Sequence, residues 1–449
     1  MKHPVTLLLL ALAVAACSPK VEPVKTVIFP GDYPDPTILR DGNDYYMTHS
    51  SFTYFPALLV WHSTDLMHWE PIARAVEDGD YSIYAPEMCK VDGKYYIYYP
   101  TSRGENYVVT ADKPEGPWSK PVKLDIGGID PGHVVDADGN RYLYTNDGYV
   151  TPLTPDGLAA AGERKKVYDG WAYPAEWETE GMWLESPKLF KRGNWYYLVS
   201  AEGGTAGPAT SHMVVVARSK SVLGPWENSP YNPMVHTYSA DETWWSKGHG
   251  TIFDDADGNW YIVYHSYRNG LYTLGRNTIL ENVQWTRNGW PVLVEKDGAK
   301  WEQDGLQGDY SALRDYGNPL LWSKWQPGLD GGTLWLTTAV DASYEITASF
   351  SVPDGGEAGL FLFYNEEARF GVAGDAVEGG GTIDFSVRIR NERNEATLWT
   401  KYGEGNWIPG ASKDVSGFHH NNYKGFFALR PAYLLAGGAE LKGFEYKPL

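Results

Sequence analysis

Cysteine is nearly absent: the 449-residue chain carries two, Cys17 and Cys89. Two such thiols, one of them at the extreme N-terminus, exclude a disulfide-braced scaffold, so packing must hold the fold. Basic residues are also scarce, 38 Lys and Arg against 57 Asp and Glu, for a net charge of −19. A surface of that sign repels phosphate backbones and excludes a nucleic-acid partner. The one long apolar run, Val5 to Ala16, is too short to span ~30 Å of hydrocarbon as a helix. Charge is modest at 21% and hydrophobic content is 43%, which excludes a disordered chain.

What the chain has in excess is aromatic: 19 Trp, 32 Tyr and 14 Phe, together with 49 Gly and 29 Pro. That mixture favours strands and turns over helices and points to an all-β protein. The N-terminus reads as a signal segment over residues 1–16, with Lys2 ahead of the apolar run. It ends in Val14-Ala15-Ala16-Cys17, which looks like a bacterial lipobox, small residues before a Cys that becomes lipidated. The expectation is a lipoprotein of the cell envelope, touching the membrane only through that anchor. Ser18 after the Cys favours the outer membrane, and residues 17–25 form a tether. Cys89, left alone, reads as a buried inert thiol.

One pattern recurs through the first 300 residues: an apolar pair, a tight turn, then alternating aromatics. It centres on Gly42, Gly93, Gly139, Gly193 and Gly258. Asp-Gly and Gly-Asn between apolar alternations are strong hairpin signals. Ser63 to Trp69, Gly116-Pro117-Trp118 and Gly224-Pro225-Trp226 recur as aromatic-capped turns further along their units. The repeat length approaches the ~40–50 residues of a propeller blade plus insertions. The prediction is a five-bladed β-propeller over residues 26–300; a β-sandwich would not explain five copies of one turn.

In a propeller the innermost strands line the central channel. Just upstream of each predicted hairpin stand Asp35, Glu87, Asp130, Glu185 and His249, mostly beside Pro or Gly. Taken singly, each reads as a turn residue or a solvated carboxylate. Taken as matching positions of a repeat, they converge at one mouth. Carboxylates crowded together raise at least one pKa, as a general acid at neutral pH requires.

These motifs resemble glycoside hydrolase family 43. They are Tyr33-Pro34-Asp35-Pro36-Thr37-Ile38, Ile129-Asp130-Pro131, Glu185-Ser186-Pro187, Lys247-Gly248-His249-Gly250-Thr251 and Leu274-Gly275-Arg276, in order over about residues 26–300. The resemblance implies an inverting glycosidase with Asp35 as base, Glu185 as general acid and Asp130 as the residue that tunes and positions the acid. It implies a buried Arg276 near the acids, and a channel histidine at His249 that in some members helps hold a calcium ion and its waters. It implies no required cofactor. Phe52, with Tyr54 and Phe55, is expected as an aromatic wall against the sugar. Trp244 and Trp245 read as a platform or as packing. Two departures, Ser186 after the acid and Tyr84 in blade two where Trp is frequent, bear on subsites and subfamily, not on the three carboxyls.

After a connector at 301–320, residues 321–449 show short alternating strands separated by Gly, Asp and Asn, which predicts a β-sandwich. Ala358 to Phe363 and the Gly443 to Tyr446 ending resemble the concanavalin A-like domain attached to many family 43 xylosidases. That domain would supply a loop to the mouth, bind polysaccharide or brace the propeller. The expected activity is exo-acting release of pentose from plant-wall oligo- or polysaccharides, as a β-D-xylosidase, an α-L-arabinofuranosidase or both. The alternatives are a non-catalytic sugar-binding propeller lipoprotein and an interaction scaffold. The sequence leaves the oligomeric state open.

Overall fold

The computed structural model describes residues 24–294, 308–376 and 380–449. The signal segment and lipobox, with Cys17, lie outside the described residues, as do Trp301 and the first part of the expected connector. The described chain is built from strands and a few short 3-10 turns.

Five antiparallel sheets follow one another along residues 25–293. Their innermost strands are Thr37–Asp41, Glu87–Val91, Gly132–Val135, Leu184–Arg192 and Trp244–Asp254. Each of these packs against the next, and the last against the first, which closes a ring of five blades. Blade five takes its outermost strand from the N-terminal segment: Lys25–Phe29 pairs antiparallel with Arg276–Trp285. Lys25, assigned to the tether on sequence, therefore opens the strand that locks the ring.

The repeat glycines mark the hairpins. Gly42, Gly93, Gly139, Gly193 and Gly258 all have positive φ, and a Cβ at any of them would meet nothing within 4 Å. Backbone conformation, not space, demands glycine there. Two turn designs share the pattern. Blades one, two and four close with two-residue loops, such as Asp92-Gly93 between Val91 and Lys94. Blades three and five use five-residue loops, each organised by one Asp. Asp136 Oδ1 accepts the N–H groups of Asp138 and Asn140, and Asp255 Oδ1 those of Asp257 and Asn259.

Most of the aromatic excess is architectural. Trp61, Trp69, Trp290, Tyr98, Tyr99, Tyr144, Tyr197 and Tyr264 are fully buried between or within blades. Trp244 joins the apolar cluster between blades four and five, so it packs rather than forming a platform. Cys89 is half-buried on the inner strand of blade two; burial and the charge of Glu87 push its thiol up, which keeps it unreactive.

The C-terminal unit is a two-sheet sandwich. One sheet holds Ile408–Asp414, Glu395–Tyr402, Ile383–Glu392, Ser343–Val352 and Glu440–Pro448. The other holds Arg369–Asp375, Glu357–Phe363, Arg430–Ala436, Thr333–Leu336 and Ser323–Trp325. Ile346, Phe350, Leu360, Leu362, Phe385 and Val387 fill the space between them. A sixth strand of the second sheet comes from the propeller: Tyr54–Phe55 of blade one pairs with Lys324 and Trp325. Tyr54 and Phe55 are consequently buried, 4% and 1% exposed, and neither is a wall against sugar. Tyr54 lies under Arg430 and against Trp325, and Phe55 packs on Tyr81 inside blade two.

Candidate active site

Four residues in or just before the inner strands share a backbone feature rather than a chemical one. Asp35, Asp130, Ser186 and His249 all have φ between 49° and 57°. Left-handed φ at a non-glycine residue is strained and clusters at functional sites. This corrects the register read from sequence. Asp35 and Asp130 sit immediately before a Pro, whereas Glu185 sits one residue earlier, because Ser186 takes the strained position. Glu87 sits one residue after its Pro. It points inward, where its carboxylate accepts hydrogen bonds from Lys188 Nζ at 2.7 Å and Thr37 Oγ1 at 3.2 Å. It is a buried ion pair between inner strands.

Asp35 is the most heavily held carboxylate. Its Oδ1 accepts from Arg276 Nη1 at 2.9 Å and stands 3.0 Å from His265 Nδ1; its Oδ2 accepts from Ser50 Oγ at 2.5 Å. Burial opposes its ionisation, but Arg276, His249 and His265 outweigh burial and hold the carboxyl well below the usual range. His265 has no exposed surface, and burial pushes it down to about 3, so the ring is neutral. Its Nδ1 also meets the backbone N–H of Asp35 at 3.1 Å, and its Nε2 lies 3.1 Å from Thr205 Oγ1 and 3.2 Å from His212 Nδ1.

Asp130 faces the other way. Its Oδ2 accepts the backbone N–H of Ser186 at 3.1 Å and lies 3.1 Å from His249 Nε2. The first bond fixes the strand start that carries Glu185. His249 bridges the two aspartates, with Nδ1 3.7 Å from Asp35 Oδ1. Burial would keep that imidazole neutral, yet the two carboxylates win and raise its pKa.

Glu185 is set differently. Burial and the adjacent charge of Asp130 push it up to about 8, with Asp35 and Glu180 adding and His249 opposing. One end of the propeller thus holds a carboxylate kept ionised and a carboxyl kept protonated, the pairing that separates a base from an acid.

The remaining expected residues fall around this pair. Arg276 is buried and committed to Asp35, with Phe52 and Phe426 each 5.8 Å from its guanidinium. Phe52 is 1% exposed and packs edge-on against Tyr84 and Phe427, so it forms the floor beside Arg276 more than an open wall. His49, buried, meets Thr278 Oγ1 at 3.2 Å.

The calcium expected at His249 finds poor donors. His212, His249 and His265 form one group with donor atoms within 4.8 Å, and Asp130, Glu185 and His249 another. Calcium takes six to eight oxygens. The first group offers only nitrogen, and in the second Asp130 is already bonded to His249 and to the Ser186 N–H. The donor set does not fit calcium, and no step below is routed through a metal.

Sequence reasoning missed His265, His212 and Asp32. Asp32 accepts the backbone N–H of Arg276 at 3.3 Å through Oδ1, and Arg430 of the sandwich holds its Oδ2 at 2.8 Å. The loop over residues 415–429 reaches across the mouth. His420 stacks on Tyr267, His419 stacks on Tyr272, and Asn421 bonds Gly207 of blade four. Of the three roles open to the sandwich, the structure shows two, a brace and a loop at the mouth.

The acid limb of the pH–rate profile should expose the Arg276 contact. Losing that cation leaves burial unopposed by its largest counterweight, so the Asp35 pKa rises. Arg276→Met is expected to move the acid limb of kcat/KM upward by about 1–3 pH units. An unmoved limb would dissociate Arg276 from the base.

Comparison with known proteins follows the same lines. The family model for glycosyl hydrolases family 43 matches residues 24–291. A putative beta-xylosidase of Escherichia coli is 30% identical over 352 residues, 68% of this chain and 62% of that protein. A non-reducing end alpha-L-arabinofuranosidase of Bacteroides ovatus is 35% identical over 322 residues, 66% of this chain and 58% of that protein. The match therefore spans about three fifths of the length of these curated relatives. Among solved structures, the Bacteroides ovatus xyloglucan-locus protein GH43B superposes with a TM-score of 0.79 at 23% identity, covering 95% of this chain and all of that one. A xylan beta-1,4-xylosidase from Bacillus halodurans gives 0.75 at 24% identity, covering 94% and 99%. These likenesses establish the propeller-plus-sandwich fold.

Proposed function

Because the chain belongs to glycosyl hydrolases family 43, we propose that it is an exo-acting, inverting glycoside hydrolase releasing pentose from plant cell-wall glycans. β-D-Xylosidase and α-L-arabinofuranosidase are the two activities in view. The observation that carries the reading is the split between Asp35, held ionised, and Glu185, held protonated, at the same end of the propeller. The relatives' names, which divide between the two activities, support the substrate class.

The reaction balances on these groups. Asp35 takes a proton from a water whose oxygen bonds to the anomeric carbon. The bond from that carbon to the glycosidic oxygen breaks on the opposite face, and Glu185 gives its proton to the departing oxygen. The sugar leaves with inverted configuration, and solvent resets the two carboxyls. Positive charge develops on the ring in the transition state, and the ionised Asp35 and its acidic neighbours stabilise it.

Aryl β-D-xyloside and aryl α-L-arabinofuranoside, with proton NMR of the first-formed anomer, test this. Release of inverted sugar is expected. Retention would overturn the mechanism, and no release from either, with oligosaccharide still bound, would favour the sugar-binding alternative. The lipid anchor at Cys17 belongs to the same proposal and is supported by the Val14-Ala15-Ala16-Cys17 motif. Palmitate labelling that survives Cys17→Ala would sink it.

A further inference from the structure

Large apolar side chains are rarely left open to water in groups, and contiguous exposed patches mark binding surfaces. Among the described residues, Met182, Trp183 and Tyr238 are 79%, 52% and 66% exposed, and Trp183 stands two residues before Glu185. They belong to one patch. Tyr173 donates to Met182 Sδ at 3.1 Å and stacks toward Trp177; Trp177 lies flat on His236 at 4.5 Å; Tyr238 stands edge-on to both Trp177 and His236.

The patch is a built surface rather than a loose loop. Glu180 N–H donates to Ser211 Oγ at 2.7 Å, and its carboxylate accepts from Ala206 N–H at 2.8 Å. Gly203 N–H donates to Trp183 O, and regular pairing continues through Leu184 with Glu202 and Glu185 with Ala201. The bulge begins only after Glu185. Trp183 immediately precedes the strand Leu184–Arg192 and its carbonyl extends the pairing to Gly203; side chains two apart on extended backbone share a face, which puts Trp183 on the side of Glu185. Trp183 is the one nearer solvent.

Glu185 is the group that protonates the leaving oxygen under the function proposed above, on which this inference rests. The sugar attached to that oxygen must therefore emerge past Glu185, toward Trp183. We propose that Trp183, with Met182 and Tyr238 beyond it, is the platform for the leaving-group side of the glycan, taking the apolar face of neutral pyranose rings in the backbone. The ligand is neutral because the segment that carries Trp177 and leads to Trp183 exposes Glu176, Glu178 and Glu180. Carboxylates there repel uronate-bearing chains.

The test compares kcat/KM on a neutral pentose trisaccharide with that on the matching glycosyl fluoride, whose leaving group has no ring. In Trp183→Ala the ratio of the two is expected to fall about tenfold, mainly through KM, as for truncation of an aromatic anchor. Trp183→Phe should recover part of it. An unchanged ratio would overturn the platform even if pentose release is intact. If wild-type protein releases no pentose, the functional reading fails by itself, and retardation in native gels containing neutral xylan, a pyranose polymer, decides the platform. Retardation lost in Trp183→Ala would uphold it; retardation absent from wild type, or kept in the variant, would overturn it.

Discussion

Glu185→Gln is expected to lower kcat on natural oligosaccharides by about 10³, within the 10²–10⁴ that general acid catalysis contributes. The amide fills the same space and cannot give a proton to the leaving oxygen. The loss should depend on the leaving group. A dinitrophenyl pentoside departs without protonation and should be turned over within about tenfold of wild type. Sugar binding should persist, since the substitution removes a proton donor and leaves the pocket's shape. The basic limb of the pH profile, set by a carboxyl at about 8, should vanish with it. Equal losses on the oligosaccharide and the dinitrophenyl substrate would assign the proton to another group.

Asp35→Asn should be as damaging and should discriminate in the opposite way. The base acts on water, so its loss is expected to cost about 10³ in kcat whatever the leaving group. Added azide, which needs no deprotonation, should restore turnover of the activated substrate. The variant also leaves the buried Arg276 without its anion. Breaking a buried pair by removing one partner costs about 3–5 kcal/mol, so a lower melting temperature should accompany the kinetic loss. Full activity with a normal acid limb would remove Asp35 from the mechanism.

What the sequence disclosed and what it concealed divide along contact distance. The five turn glycines are legible because a hairpin is a local object, and Asp-Gly needs no distant partner to be read. Asp35 and Asp130 are legible because each precedes a Pro at the head of an inner strand. Glu185 was assigned to the right motif but the wrong register, since Ser186 takes up the strained backbone in its place, and no local propensity shows that. The strand Lys25–Phe29 was hidden in part because its partner, Arg276–Trp285, lies some 250 residues away. Ile408–Asp414 was missed for another reason. All of its residues are exposed, so it has no apolar alternation to detect. Arg430–Ala436 is interior to its sheet although Pro431 removes a ladder donor near its start, a placement that local sequence rules disfavour. His265 and His212 read as ordinary residues of apolar runs, and only the closed ring brings them beside Asp35.

The short strand Tyr54–Phe55 has a thermodynamic meaning. It is covalently part of blade one and by hydrogen bonding part of the sandwich sheet, and Asp32, ahead of the first inner strand, is clamped by Arg430. Melting either unit strips backbone partners from the other and frees the peptide that carries Arg276. The two units therefore form one cooperative block, and calorimetry of the whole chain should give a single endotherm rather than two. A chain cut before Ser323 would present Tyr54–Phe55 as an unpaired apolar edge, the kind of surface on which proteins aggregate.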